Sequence, residues 1–219
     1  MNQLVFKFPF KTKYYEQDFY VSSNNFSAYK LIESWPNWTG KWLNIFGLTG
    51  SGKTHLSKIL EKKINRLKIV NCKNVNYSLI EELNNLDCLI IDNFTNNIDE
   101  KLFYSMLNQS KQLENFILIN STSPIKNNPF ILKDLKSRIM SFIPVGIDLP
   151  TDELLKVIIA KSFSDQQVKL DPKITEYIIK NVDRSYEKIF KLIRDIDNLS
   201  LSSGKSININ LIKKVLKHE

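Results

Sequence analysis

Arginine, alanine, cysteine and histidine are scarce in this chain of 219 residues, and the scarcities narrow what it can do. The two cysteines, Cys72 and Cys88, form no C-x-x-C pair, and only His55 and His218 stand beside them, which argues against a Cys/His metal cluster. Both cysteines flank apolar, strand-like runs, so buried, reduced thiols are expected. No apolar run approaches the roughly 20 residues that a membrane-crossing helix needs. The opening MNQLVFKFPFK has no basic region followed by an apolar stretch and a small-residue cleavage site, so a cytoplasmic protein is expected. The net charge of +8 invites a nucleic-acid reading, but it is carried by 27 lysines against 4 arginines, alongside 23 asparagines and 2 alanines. Such usage is what an AT-rich coding sequence produces. Arginine, the usual residue for bidentate contacts to phosphate and guanine, is in short supply, so no more than weak, salt-sensitive contact with nucleic acid is expected.

Glycine is also rare, with 6 in the chain, yet Gly47, Gly50 and Gly52 fall together in FGLTGSGKTHL. The apolar run WLNIF before them reads as a strand. THLSKILEKKI after them has helical spacing at Leu56, Ile59, Leu60 and Ile64. A glycine-rich turn from strand to helix, closing on Lys53 and Thr54, has the spacing of a P-loop. In that motif successive backbone N–H groups wrap a phosphate, the lysine reaches the outer phosphates and the hydroxyl ligates Mg²⁺.

A hydrophobic content of 42% and a charged content of 25% suit a globular protein, and the length allows one sizeable domain with a smaller appendage. Beyond the P-loop helix, strands are expected at 67–71, 87–92 and 116–120, alternating with helices near 78–83 and 99–113. Strands that are apolar throughout and alternate with helices indicate an α/β fold with a parallel sheet covered on both faces. The pattern changes at Pro150. From Thr151 onward only helical segments are expected, at about 151–164, 171–181, 185–200 and 208–217, with Asp171-Pro172 and Ser203-Gly204 as punctuation. The expected organisation is therefore an N-terminal extension over 1–17, an α/β nucleotide-binding subdomain over 18–150 and a helical subdomain over 151–219.

Several residues outside the loop bear on phosphate chemistry. Asp92 ends the apolar strand LIID, where a P-loop protein holds the metal shell. Asn93 follows it at a position where a second carboxylate could orient an attacking water. An amide cannot take a proton, so rapid self-contained hydrolysis is not expected. Asn120, Ser121 and Thr122 end the next strand, where polar groups either approach a terminal phosphate or simply turn the chain toward Pro124. Arg138, in LKDLKSRI, and Arg184, in VDRSYEKIF, stand out in a chain with so few arginines. Each could face a phosphate, in this molecule or a neighbour, or form a surface salt bridge.

The order GLTGSGKTHL, LIIDNF, ILINSTSP, LKDLKSRI, VGIDLPTDELL and VDRSYEKIF resembles the AAA+ domain of the DnaA family of bacterial replication initiators. DFYVSSNNFSAYKLIESWP resembles the stretch that opens that domain and borders adenine. The resemblance runs from about Asp18 to the end and implies an AAA+ P-loop NTPase fold with a C-terminal helical lid. It implies a phosphate loop of Gly47, Leu48, Thr49, Gly50, Ser51, Gly52, Lys53 and Thr54, with His55 next to it, holding ADP or ATP. Mg²⁺ would be served by Thr54 and Asp92. Asn120 to Thr122 would form the first sensor, Arg138 the arginine finger and Arg184 the second sensor; a shift of three residues would put Glu187 at the last position instead.

An initiator continues into a helix-turn-helix domain, and this sequence stops at Glu219, so the likeness is to the short, Hda-type branch of the family that inactivates the initiator. Gln3, Leu4, Phe6 and Phe8 resemble the peptide by which that branch docks on the DNA polymerase sliding clamp. An extended segment places Leu4, Phe6 and Phe8 on one side, where they can enter an apolar groove while Gln3 makes hydrogen bonds at its edge. The resemblance thus implies a clamp-tethered regulator that promotes hydrolysis of ATP held by the initiator. DNA would be reached through the clamp and the nucleoid by the same route, no membrane would be involved, and a homodimer is left open. A helicase loader, which binds helicase and single-stranded DNA, is the alternative, since its P-loop also runs into KTHL. A small-molecule kinase fits less well, because no acceptor pocket is legible.

Overall fold

The computed structural model describes residues 16–165, 168, 170–204 and 206–217. They fall into two compact units, one over 16–148 and the other from Leu149 onward.

In the first unit helix α1 (Phe26–Glu33) precedes strand β1 (Trp42–Phe46), and then come α2 (Lys53–Glu61), β2 (Leu67–Asn71), α3 (Ser78–Glu82), β3 (Cys88–Phe94), α4 (Glu100–Gln112), β4 (Phe116–Ser121), α5 (Lys133–Ile139) and β5 (Ile143–Gly146). The strands form one sheet in the order β2-β3-β4-β1-β5, every pair parallel. Side chains along a strand alternate between its faces, and the sequence uses that alternation to build two cores. Trp42, Leu89, Ile91, Ile117 and Ile119 pack with Phe103, Met106, Leu107 and Leu135 of α4 and α5. Leu43, Ile45, Cys88, Ile90 and Leu118 pack on the other face with Ala28 and Ile32 of α1 and Leu56, Ile59 and Leu60 of α2. Burying both faces explains why the inner strands β1, β3 and β4 are apolar through most of their length. Asn44 is the exception in β1. Its wholly buried amide donates to Ile119 O at 3.0 Å and Ser121 Oγ at 2.8 Å and accepts from Ile125 N at 2.9 Å, which ties β1 to the segment after β4.

The strand β5 was not expected from the sequence. It has four residues and contains Pro144, whose missing N–H would break a central ladder. The sheet order puts it on an edge, where a proline is tolerated.

The second unit contains α6 (Asp152–Ser164), α7 (Pro172–Asn181), α8 (Tyr186–Ser203) and α9 (Ile209–Lys217). Thr151 caps α6 by accepting from Leu154 N, and Asp171 caps α7 by accepting from Lys173 N, with Pro172 at the first helical position. Gly204 ends α8 at φ 62°, a left-handed turn that suits glycine. Leu155, Ile159, Phe163, Ile178, Ile189 and Ile212 lie in its core.

Cys72 and Cys88 are buried free thiols, and burial pushes the Cys88 thiol well above the usual range. Among the described residues no helix is long and apolar enough to cross a membrane.

Candidate nucleotide site

The site starts where β1 ends. Gly47 leaves the strand with its Cα against neighbouring backbone: a Cβ there would meet Ile147 O at 2.7 Å and Ser51 Oγ at 3.0 Å. Gly50 and Gly52 have φ of 82° and 97°, in the left-handed region that side chains avoid. Gly52 then stands at the N-cap of α2 and offers no side chain, so the helix opens with donors that no capping oxygen satisfies. A loop built this way can present consecutive N–H groups, aided by the helix dipole, to an anion. Leu48, Thr49 and Gly50 form its exposed crest, and Ser51 is buried beneath them.

Lys53 folds back over the loop, with Nζ donating to Gly47 O at 2.6 Å, Leu48 O at 2.9 Å and Ser51 Oγ at 3.3 Å. Burial lowers its pKa from the ordinary lysine value, and the nearby Asp92 carboxylate opposes that shift. The ammonium is thus poised at the loop and solvated by carbonyls that a phosphate could replace.

Thr54, in the first turn of α2, donates from Oγ1 to Asp92 Oδ2 at 2.9 Å. Asp92 is buried in β3, and its other oxygen, Oδ1, accepts from Asn120 Nδ2 at 2.9 Å. The same nitrogen donates to Ser57 Oγ at 2.7 Å. Three residues expected from the sequence, Thr54, Asp92 and Asn120, are therefore in one hydrogen-bonded line along the carboxyl ends of the strands, where α/β sheets bind ligands. Ser57 completes the line and was not anticipated. Its position one turn beyond Thr54, on the helix face that meets the sheet, was the available signal. A hydroxyl and one carboxylate could supply part of the oxygen shell of a divalent ion. Among the described residues no group of three or more His, Cys, Asp or Glu side chains could hold a metal without such help.

Asn93 is exposed at a bulge in β3, where the ladder with β4 shifts register between Ile91 and Phe94, and has φ 55°. Asparagine tolerates this conformation better than most residues. The segment before α1 closes the other side of the loop. Asn25 Nδ2 donates to Tyr20 O at 3.0 Å, and Asn24 exchanges bonds with the Asp148 backbone at 3.0 and 3.2 Å. So fastened, Phe19 lies beside Gly52, stacked on Tyr29 at 5.8 Å and edge-on to His55 at 5.3 Å. Phe19 belongs to the stretch expected from the resemblance to border adenine, and it brings an aromatic face to the flank of the loop.

Arg138 is not part of this group. It sits in α5, half-buried, with Nε donating to Asn108 Oδ1 at 2.9 Å, and it lines a cavity of about 300 Å³ with Lys41, Trp42, Glu114 and Ser141. Lys41 precedes β1 and Gly47 follows it, so the five residues of β1 separate the two regions by about 20 Å along the sheet.

The chain superposes on domain III of the Thermotoga maritima replication initiation protein DnaA with a TM-score of 0.78 at 19% identity, covering 96% of this chain and 98% of that one. The chain has the AAA+ fold of a DnaA domain III. The AMPPCP-bound DnaA from Aquifex aeolicus matches with a TM-score of 0.69 at 20% identity over 87% of this chain and 67% of that one. In sequence, the chain is 23% identical over 232 aligned positions to the chromosomal replication initiator protein DnaA of Buchnera aphidicola subsp. Cinara cedri, an alignment that takes in 93% of this chain and 52% of that protein. No family model matches. The chain spans about half the length of the curated DnaA relatives it matches.

Two sets of expected residues do not belong to the α/β unit as described. Arg184 lies in the helical unit, where its guanidinium donates to Asp152 Oδ2 at 3.0 Å in an exposed ion pair. Glu187 is in the first turn of α8, where a carboxylate complements the helix dipole. Gln3, Leu4, Phe6 and Phe8 lie outside the described residues.

Proposed function

We propose that this chain is a nucleotide-binding regulator of replication initiation of the Hda type, which docks on the sliding clamp and promotes hydrolysis of ATP held by a DnaA initiator. The observation that carries the reading is the seat of Arg138. A guanidinium at the far end of β1 from its own P-loop is poorly placed to serve a nucleotide bound there, and well suited to serve one presented by another molecule.

In this reading Gly47 to Thr54 hold the phosphates of ADP or ATP, with Lys53 leaving its loop carbonyls to face them. Thr54 and Asp92 would hold Mg²⁺, which would neutralise phosphate charge. Glycines with no room for a Cβ, a helix without a side-chain cap and a buried carboxylate beside a threonine hydroxyl all fit that role. Asn93 offers no base beside Asp92, so the chain's own hydrolysis is slow and its catalytic contribution is made in trans. Arg138 stabilises charge developing on the initiator's nucleotide, an effect worth roughly 10³- to 10⁵-fold where arginine fingers act in GTPases. Gln3, Leu4, Phe6 and Phe8 supply the clamp contact, each buried anchor contributing about 1.5–3 kcal/mol before ordering costs.

The test is a reconstitution with initiator, clamp and DNA. The full chain speeds turnover of initiator-bound ATP, and the double substitution Gln3→Ala, Leu4→Ala removes both the stimulation and retention on immobilised clamp. Stimulation that persists without clamp retention contradicts the tethering. Retention on replicative helicase, with none on clamp, supports a loader instead.

A further inference from the structure

The cavity at the start of β1, about 300 Å³ in volume, is lined by Lys41, Lys111 and Arg138 against one carboxylate, Glu114. Lys41 and Glu114 are spent on each other, with Nζ donating to Oε2 at 2.9 Å and to the Glu114 carbonyl at 3.0 Å. The remaining cations are not answered from within the fold. Arg138 bonds through Nε to the neutral amide of Asn108, and its two terminal nitrogens make no hydrogen bond or ion pair among the described residues. Lys111, in the last turn of α4, has no ion-pair partner among them either. The buried side of the lining has the opposite need. Asn115 is 5% exposed, and its Nδ2 donates to Leu86 O at 2.5 Å and Leu83 O at 3.3 Å, which fixes the amide because carbonyls only accept. Its Oδ1 is thereby a buried acceptor with no partner, a state that costs free energy until a donor reaches it. The wall is already built. Asn115 N donates to Ser110 O at 3.0 Å, and Ser110 Oγ accepts from Trp42 Nε1 at 3.2 Å and donates to Asn115 O at 3.3 Å.

We propose that this cavity is a second ligand site, separate from the P-loop, for a small sugar phosphate, whose phosphate meets Arg138 and Lys111 while a sugar hydroxyl donates to Asn115 Oδ1. The unmet groups select the class. Arginine and lysine together suit a phosphate, the one by its planar fork and the other as a point charge. An ionised phosphate oxygen only accepts, so a phosphate alone leaves Oδ1 unpaired, and for the same reason the terminal phosphate of a neighbour's nucleotide does not complete the site. A neutral sugar leaves the cations unanswered. The volume lies at the lower end of the roughly 300–1,000 Å³ of ligand pockets, which fits a molecule of this size. The inference needs neither a nucleotide at the P-loop nor a clamp.

The test titrates the full chain with ribose 5-phosphate, methyl phosphate and ribose, and follows the Trp42 indole N–H resonance, assigned by its loss in Trp42→Phe. Trp42 lines this cavity, so its signal reports binding here. The proteins are wild type, Lys53→Ala, Lys111→Gln and Arg138→Gln. Lys111 is exposed, so Lys111→Gln is expected to fold, and circular dichroism checks the others. Ribose 5-phosphate is expected to shift the Trp42 signal saturably, and equally in Lys53→Ala. Methyl phosphate binds about tenfold more weakly and ribose not measurably. Lys111→Gln and Arg138→Gln each weaken ribose 5-phosphate about tenfold, the order for a hydrogen bond to a charged group. No shift with ribose 5-phosphate, loss of binding in Lys53→Ala, equal affinity for methyl phosphate, or unchanged affinity in either Lys111→Gln or Arg138→Gln overturns the proposal. Failure of the wild type to bind ADP bears on the P-loop alone and leaves this site standing.

Discussion

At the scale of single residues, the phosphate loop is set by what has no room to change. A methyl group at Gly47 would sit 2.7 Å from a backbone oxygen, which cannot swing aside as a side chain could. Gly47→Ala is therefore expected to displace the loop and to weaken ADP binding at least tenfold, with the helical unit unaffected; unchanged affinity in calorimetry would show that the loop adapts. Lys53 gives a pH signature. Burial lowers its pKa below the ordinary 10.5, so the unfolded chain binds this proton more tightly than the folded one. Its contribution makes folding stability rise with pH between the folded and unfolded values, where the unfolded state holds more protons. Phosphate binding needs the charged ammonium and follows the opposite sign. ADP affinity should fall as pH climbs through the same window, earlier than for a free lysine, and a Lys53→Arg variant, still charged, should lack that fall. Isothermal titrations from neutral to alkaline pH check both.

At the scale of elements, what could be foreseen was what periodicity encodes. The four strands β1 to β4 and the helices α6 to α9 are long or strongly patterned, and their expected limits agree with the observed ones to within a few residues. The edge strand β5 escaped notice because four residues including a proline carry too little pattern. The bulge in β3 escaped for a different reason. A register shift depends on the partner strand, and nothing in LIIDNF alone announces it. The bulge explains why an asparagine can follow Asp92: the position needs φ 55°. Asn93→Val, a β-branched residue forced into the left-handed region, should cost about 1–2 kcal/mol. Urea denaturation checks this, and a loss under a few tenths would mean that the bulge slides or relaxes. Partners were harder to foresee than positions. Thr54, Asp92 and Asn120 were legible because motifs name them. Ser57 and Asn108 were not, because only the packing of α2 on the sheet and of α5 on α4 brings them to Asn120 and Arg138.

At the scale of the whole molecule, the candidate nucleotide site at the carboxyl ends of the strands and Arg138 near the start of β1 belong to one compact α/β unit. That division suits a protein whose own nucleotide and whose catalytic contribution concern different molecules. The central claim is that Arg138 acts in trans. It is tested most directly by the single-turnover rate of ATP hydrolysis on the initiator, with clamp and DNA present, for wild-type protein and Arg138→Ala. Fold, nucleotide binding and clamp binding of the variant, which depend on other residues, serve as controls by circular dichroism, calorimetry and pull-down. The account expects those controls to be intact and the initiator's hydrolysis to fall by about 10³-fold, the order that such fingers supply. Equal rates for the two proteins, with the controls intact, would contradict it.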